Sequence, residues 1–196
     1  MTGRIMRIVA AVFVFVFAFM ATGTVHAADD AARPVEFKVL DRWVGDWDLQ
    51  ITVKPSTQNP QGHKATYTSQ VRWGLNDRFL RCEAKGEGMD GDQKVAEAFM
   101  WVITFDRPAA RYTSTVFWSN VIPGTTGYWG IVPIGAGAWD EKEQMMSIRS
   151  EDKETGMVTL SVTQWIDKDN HRWVQSLTEK NGNVVVEMTG VGKRRK

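Results

Sequence analysis

The sequence predicts an all-β fold: an antiparallel up-and-down barrel of about ten strands with one short N-terminal helix. Three observations lead there. Apolar residues alternate with polar ones at a period of two over most of the chain. Turn-forming clusters separate these runs at short intervals. The composition, with 43% hydrophobic residues, Lys+Arg 24 against Asp+Glu 23, and nine tryptophans, belongs to a chain that buries a large core. The same numbers exclude other classes. A net charge of +1 is wrong for a nucleic-acid binder. A single cysteine excludes an intrachain disulfide framework and any multi-cysteine zinc site.

The first element is read as a leader. Arg4 and Arg7 precede an uncharged apolar run, Ile8–Met20, of 13 residues. Ala21–Ala27 then ends in Val25-His26-Ala27, the small-x-small pattern that a signal peptidase reads. The run is shorter than the roughly 20 residues a bilayer requires. An uncleaved anchor is the alternative. Residues 1–27 are therefore expected to be a signal peptide and 28–196 a single domain. Cleavage leaves 169 residues with 22 basic and 23 acidic side chains, a net charge of −1. No linker or second composition regime interrupts them.

The domain opens with a short helix: Pro34 suits a first helical position, and Phe37, Leu40 and Val44 share one face. The clearest strand follows, with Trp47, Leu49, Ile51 and Val53 alternating with Asp48, Gln50 and Thr52. Tyr67, Val71 and Trp73 alternate with Thr66, Gln70 and Arg72, and Leu80, Cys82 and Ala84 with Arg81, Glu83 and Lys85. Val95–Phe105 is apolar on both parities, as in a strand covered on both sides. Further strands are expected at Tyr112–Trp118, Tyr128–Val132, Gln144–Arg149, Met157–Trp165, Arg172–Glu179 and Val184–Val191. Between them lie Gly88–Asp92, Asp106–Ala109, Glu151–Gly156 and Asp167–Asn170, all rich in turn formers, and a longer polar loop at Lys54–His63. Asn181-Gly182 predicts a type I′ hairpin turn. Gly124–Gly130 and Gly135-Ala136-Gly137 lack the strand-to-helix context of phosphate loops and are read as turns. Short connections make sequence neighbours pair antiparallel, and closing the meander leaves no sheet edge exposed, whereas a sandwich leaves four.

Leu40–Leu49 (LDRWVGDWDL) resembles the opening of calycin barrels, the lipocalin and fatty-acid-binding superfamily, with Gly45-Asp46-Trp47 as its Gly-x-Trp motif. The resemblance implies that Trp47 plugs one end of the barrel beneath a basic residue near the last strand, here Arg194 or Arg195. Almost the whole mature chain is similar to bacterial, often exported, calycin-like domains of unknown function. The matching features are Leu40 with Gly45 and Trp47, Phe79-Leu80, the aromatic stretch Trp101–Trp129, and Glu187-Met188 before Lys193–Lys196. That resemblance implies a barrel and supplies no activity. The chain departs from true lipocalins in lacking their later loop motifs and disulfide, and from nitrobindin-type haem barrels in offering no matching ligand histidine.

Few side chains point to catalysis. His63 falls in a polar loop and His171 in a turn, so both read as solvated, and no metal or cofactor is expected. Cys82 alternates with Leu80 and Ala84 and reads as a small buried hydrophobe. Glu97 shares parity with Phe99, Trp101, Ile103 and Phe105, which places a carboxylate in an aromatic lumen if that face is inward. If Ala96, Ala98, Met100 and Val102 point inward instead, Glu97 lies on the wet wall. Glu187, on the parity of Val185 and Val191, is a weaker case. Trp118, Trp129 and Trp139 lie in or beside the Gly/Pro-rich stretch Asn120–Gly137, where they either pack or line a cavity rim. Lys193–Lys196 is read as a solvated tail.

The expected function is that of an exported, periplasmic or secreted barrel binding a small apolar or amphipathic molecule. Leu49, Ile51, Val71, Phe99 and Trp101 should line a lumen of about 300 Å³ or more, opening towards Asn120–Gly137, with Trp118 and Trp129 as further contacts. No nucleic acid and no stable membrane insertion of the mature chain are expected, and the oligomeric state is left open. Two alternatives stand beside this reading. One is a hydrolase or isomerase using a lumen carboxylate, Glu97 or Glu187. The other is an envelope interaction module with a filled barrel.

Overall fold

The computed structural model describes residues 34–56, 60–90, 93–118 and 134–196. The leader, the expected strand Tyr128–Val132 and Trp129 lie outside the described residues. A helix α1 (Val35–Leu40) runs into a 3-10 turn (Asp41–Trp43). The strands are β1 (Gly45–Val53), β2 (His63–Gly74), β3 (Phe79–Asp90), β4 (Gln93–Asp106), β5 (Arg111–Trp118), β6 (Gly135–Asp140), β7 (Met145–Glu151), β8 (Val158–Trp165), β9 (Asn170–Thr178) and β10 (Val184–Arg194). Each pairs antiparallel with its sequence neighbours, and β10 closes onto β1. The expected closed, ten-strand antiparallel barrel with its short helix is what the chain forms.

Register follows the alternation. Trp47, Leu49, Ile51 and Val53 face inward opposite Arg194, Gly192, Gly190 and Met188. Across β2, β3 and β4, Val71 aligns with Cys82 and Cys82 with Trp101, so one layer of the lumen wall is apolar throughout. Helix α1 covers one barrel end: Phe37 packs on Trp73, with ring centroids 5.6 Å apart, and Tyr112 Oη donates to the Glu36 carbonyl at 2.9 Å. Leu40, Leu80 and Ile103 beneath it are fully buried.

Three expectations are corrected. Gly135-Ala136-Gly137 is not a turn but the start of β6, whose small residues pair with Tyr112, Thr113 and Ser114. The Asn181-Gly182 turn is not type I′. Only Gly182 has positive φ, at 92°, and the Asn181 side chain accepts from the Asn183 N–H at 2.8 Å, forming an Asx turn in a longer loop. In β10 a bulge between Val184 and Val186 shifts the parity, so that Val185 and Val186 are both buried.

Candidate functional site

The barrel encloses a cavity of about 160 Å³, roughly half the expected minimum. Trp43 descends from the 3-10 turn into the lumen and Trp173 projects from β9, and both join Trp47 and Trp101 in lining it. Together these indoles occupy the extra width that ten strands provide.

The cavity floor is an aromatic stack at the helix end. Trp43, Trp47, Trp165 and His171 meet at centroid distances of 4.9–5.5 Å, mostly edge to face. Trp47 Nε1 donates to the Trp43 carbonyl at 2.7 Å. The Arg194 guanidinium lies 4.2 Å over the Trp47 ring and donates to the carbonyls of Val44 and Arg42. Arg195 is the wrong basic residue for this position: just past the end of β10, it lies 3.7 Å from Asp48 on the outer side of β1.

His171 is also corrected. It lies on β9, only 6% exposed, and lines the cavity. Glycine makes the space, because a Cβ on Gly192 would collide with the His171 ring. Burial, reinforced by the nearby Arg194 charge, pushes its pKa down to about 4, so the imidazole is neutral at pH 7. Burial likewise pushes the Cys82 thiol up to about 12. The described lining therefore carries no charge at neutral pH.

The walls differ in chemistry. Leu49, Ile51, Val71, Cys82, Phe99 and Trp101 form an apolar and aromatic side from β1 to β4. Opposite them, Ser150, Thr159, Ser161, Thr163 and Gln175 from β7 to β9 present hydroxyls and an amide beside Met146, Ile148 and Trp173, while Ser69 on β2 adds one hydroxyl to the apolar side. The alternation Thr159, Ser161, Thr163 is inverted relative to a simple reading, since Leu160 is exposed. The signal available in sequence was Trp165, which shares their parity and anchors that face to the floor. Trp101 Nε1 donates to Ser114 Oγ at 2.5 Å, tying β4 to the neighbouring β5. Among the described residues His171 Nδ1, Trp118 Nε1 and Trp165 Nε1 are buried without a hydrogen-bond partner, and His171 and Trp118 are residues of the cavity lining.

The structure thus brings Leu49, Ile51, Val71, Phe99, Trp101 and Trp118 to one cavity. Trp129 lies outside the described residues, and Gly135 is the part of the Asn120–Gly137 stretch seen in the wall. Trp139 sits apart, under Arg42 at 5.0 Å and donating to Glu141. Glu97 faces inward, since it stands opposite Gly86 in the register that also aligns Phe99 with Ala84, and it accepts a hydrogen bond from the Tyr67 hydroxyl. Glu187 is not a lumen carboxylate. The β10 bulge turns it out to pair with Lys54. Among the described residues no group of three His, Cys, Asp or Glu side chains is arranged to hold a metal, and no helix is long and apolar enough to cross a membrane.

No curated protein matches the chain in sequence. Among solved structures it is similar to an S-type phycobiliprotein lyase from Guillardia theta, at 12% identity and a TM-score of 0.55, covering 84% of this chain and 94% of that one. It also matches a de novo designed fluorescence-activating β-barrel, at 13% identity and a TM-score of 0.40, covering 79% of this chain and 95% of that one. At these identities the first likeness shows the fold alone, a closed antiparallel β-barrel. With residues 34–194 matching it, the chain belongs to the family described as "Protein of unknown function (DUF1579)".

Proposed function

We propose that this protein is an exported barrel that binds a compact amphipathic molecule, of about one ring, in its lumen. The observation that carries the reading is the uncharged cavity itself, mainly aromatic and apolar from β1 to β4 and richer in hydroxyls from β7 to β9. Its 160 Å³ compares with the roughly 150 Å³ of an engineered apolar cavity that takes up benzene. That size favours a single ring over a fatty-acid chain or a large cofactor, which is narrower than the ligand class expected from sequence. Export is supported by the charged, apolar and small-x-small regions of residues 1–27. The filled-barrel reading is less well supported, since space for a ring remains.

The test is a titration of intrinsic tryptophan fluorescence with benzyl alcohol. Saturable quenching is expected, with a Kd of about 0.1–1 mM for so small a ligand. Trp101→Ala should change the amplitude and admit a two-ring alcohol that the native protein rejects. Absence of saturable binding by any single-ring alcohol would overturn the proposal.

A further inference from the structure

Glu97 lies beyond the cavity wall, two residues along β4 from Phe99, or about 6.6 Å of strand. Its carboxylate has room because β3 is bare there: a Cβ on Gly88 would collide with the Glu97 carboxylate, and one on Gly86 with Tyr67. It is half-buried, and among the described residues its hydrogen bond comes from the neutral Tyr67 hydroxyl, with no Lys or Arg paired to it. Burial holds the Tyr67 pKa far above its ordinary value, with the neighbouring carboxylate adding to the effect, so the phenol stays a donor. Beside the carboxylate stand three aromatic rings in contact. Tyr67 and Phe99 are 5.4 Å apart, and Phe99 and Trp118 are 4.7 Å apart. Phe99 and Trp118 also line the neutral cavity.

A partly desolvated carboxylate without a cationic partner among the described residues, close to a chain of aromatic rings, is complementary to an organic cation. A ring filling the cavity would lie next to Phe99 and Trp118, with any one- or two-carbon arm directed at Glu97. We infer that the ligand of this barrel is a small aromatic or cyclic amine, its ring in the lumen and its protonated nitrogen held by the Glu97 carboxylate. This rests on the lumen-binding reading above and adds the charge of the ligand to it. Tyr67 holds the carboxylate in place through its own hydrogen bond.

The test compares benzylamine, benzyl alcohol and aniline by calorimetry at pH 7. Benzylamine should bind about tenfold more tightly than benzyl alcohol, as one charge-assisted hydrogen bond provides. Aniline, uncharged at that pH, should behave like the alcohol, a contrast that needs no variant. Glu97→Gln, which keeps the acceptor for Tyr67, should bring benzylamine down to the affinity of benzyl alcohol and leave the alcohol unchanged. Equal binding of amine and alcohol by the native protein would overturn the inference while leaving lumen binding standing. An amine preference that survives Glu97→Gln would overturn it too. Failure of all three probes to bind would remove the lumen reading, and the inference with it.

Discussion

His171 sits between Trp47 and Trp165, at centroid distances of 4.9 and 5.0 Å, and buried there it resists protonation. The consequence is a pH-dependent stability of definite sign. The unfolded chain takes up the proton near the ordinary value of 6.5, whereas the folded protein does so only near 4. Stability contributed by the neutral ring is therefore fully present above about pH 6.5 and declines as pH falls towards 4, by about 3 kcal/mol in all. Urea midpoints measured from pH 8 to pH 4 should fall through this window, and His171→Leu should flatten that part of the profile. An unchanged slope in the variant would assign the acid sensitivity elsewhere. Reading His171 as a solvated turn residue failed because Asp167–Asn170 is a genuine turn and the strand begins at Asn170. The glycine opposite, Gly192, was the signal that a large ring occupies that position.

At the scale of elements, space on β10 is arranged by glycine. Gly192 faces the His171 ring and Gly190 the Trp173 ring, and a Cβ at either would collide with an indole or imidazole rather than with a flexible chain end. Gly192→Ala should therefore cost about 1–3 kcal/mol by overpacking. Gly74→Ala, whose Cβ would meet the Phe79 carbonyl only at 4.0 Å, should stay within about 0.5 kcal/mol. Thermal melts of the two variants decide this, and equal losses would contradict the packing described for the plug. Strands with one apolar parity, β1 to β3, were legible because burial of that face admits a single register. Strand β6 was not, since Gly135, Ala136 and Gly137 carry no alternation; their smallness answers to β7, where a Cβ on Gly135 would meet Ile148 and one on Gly137 the Ser147 carbonyl. Strand β8 showed its alternation but not its sense: the lumen side is Thr159, Ser161 and Thr163, and polarity there serves the cavity rather than solvent. Glu97 was left between two orientations because β4 is apolar on both parities. Pairing with β3 resolves it.

The barrel combines a plugged end, a ring-sized neutral chamber and, beyond it, the Glu97 carboxylate hydrogen-bonded to Tyr67. Its closure was legible from the alternating runs, nine of which are strands of the barrel, although β6 was not among them. Its capacity was not, because cavity volume depends on how far Trp43 and Trp173 reach inward, which alternation does not encode. Cleavage after Ala27 predicts a mature chain starting at Ala28, and intact mass of exported material should show it. Retention of Met1 would contradict export by this leader. The proposed lumen binding is tested most directly by crystals soaked with 4-bromophenol, a single ring small enough for a 160 Å³ space. Anomalous scattering should place bromine inside the barrel, between Trp101 on the apolar wall and Ser161 on the hydroxyl wall. Bromine found only on the outer surface, or none at all at saturating ligand, would contradict it.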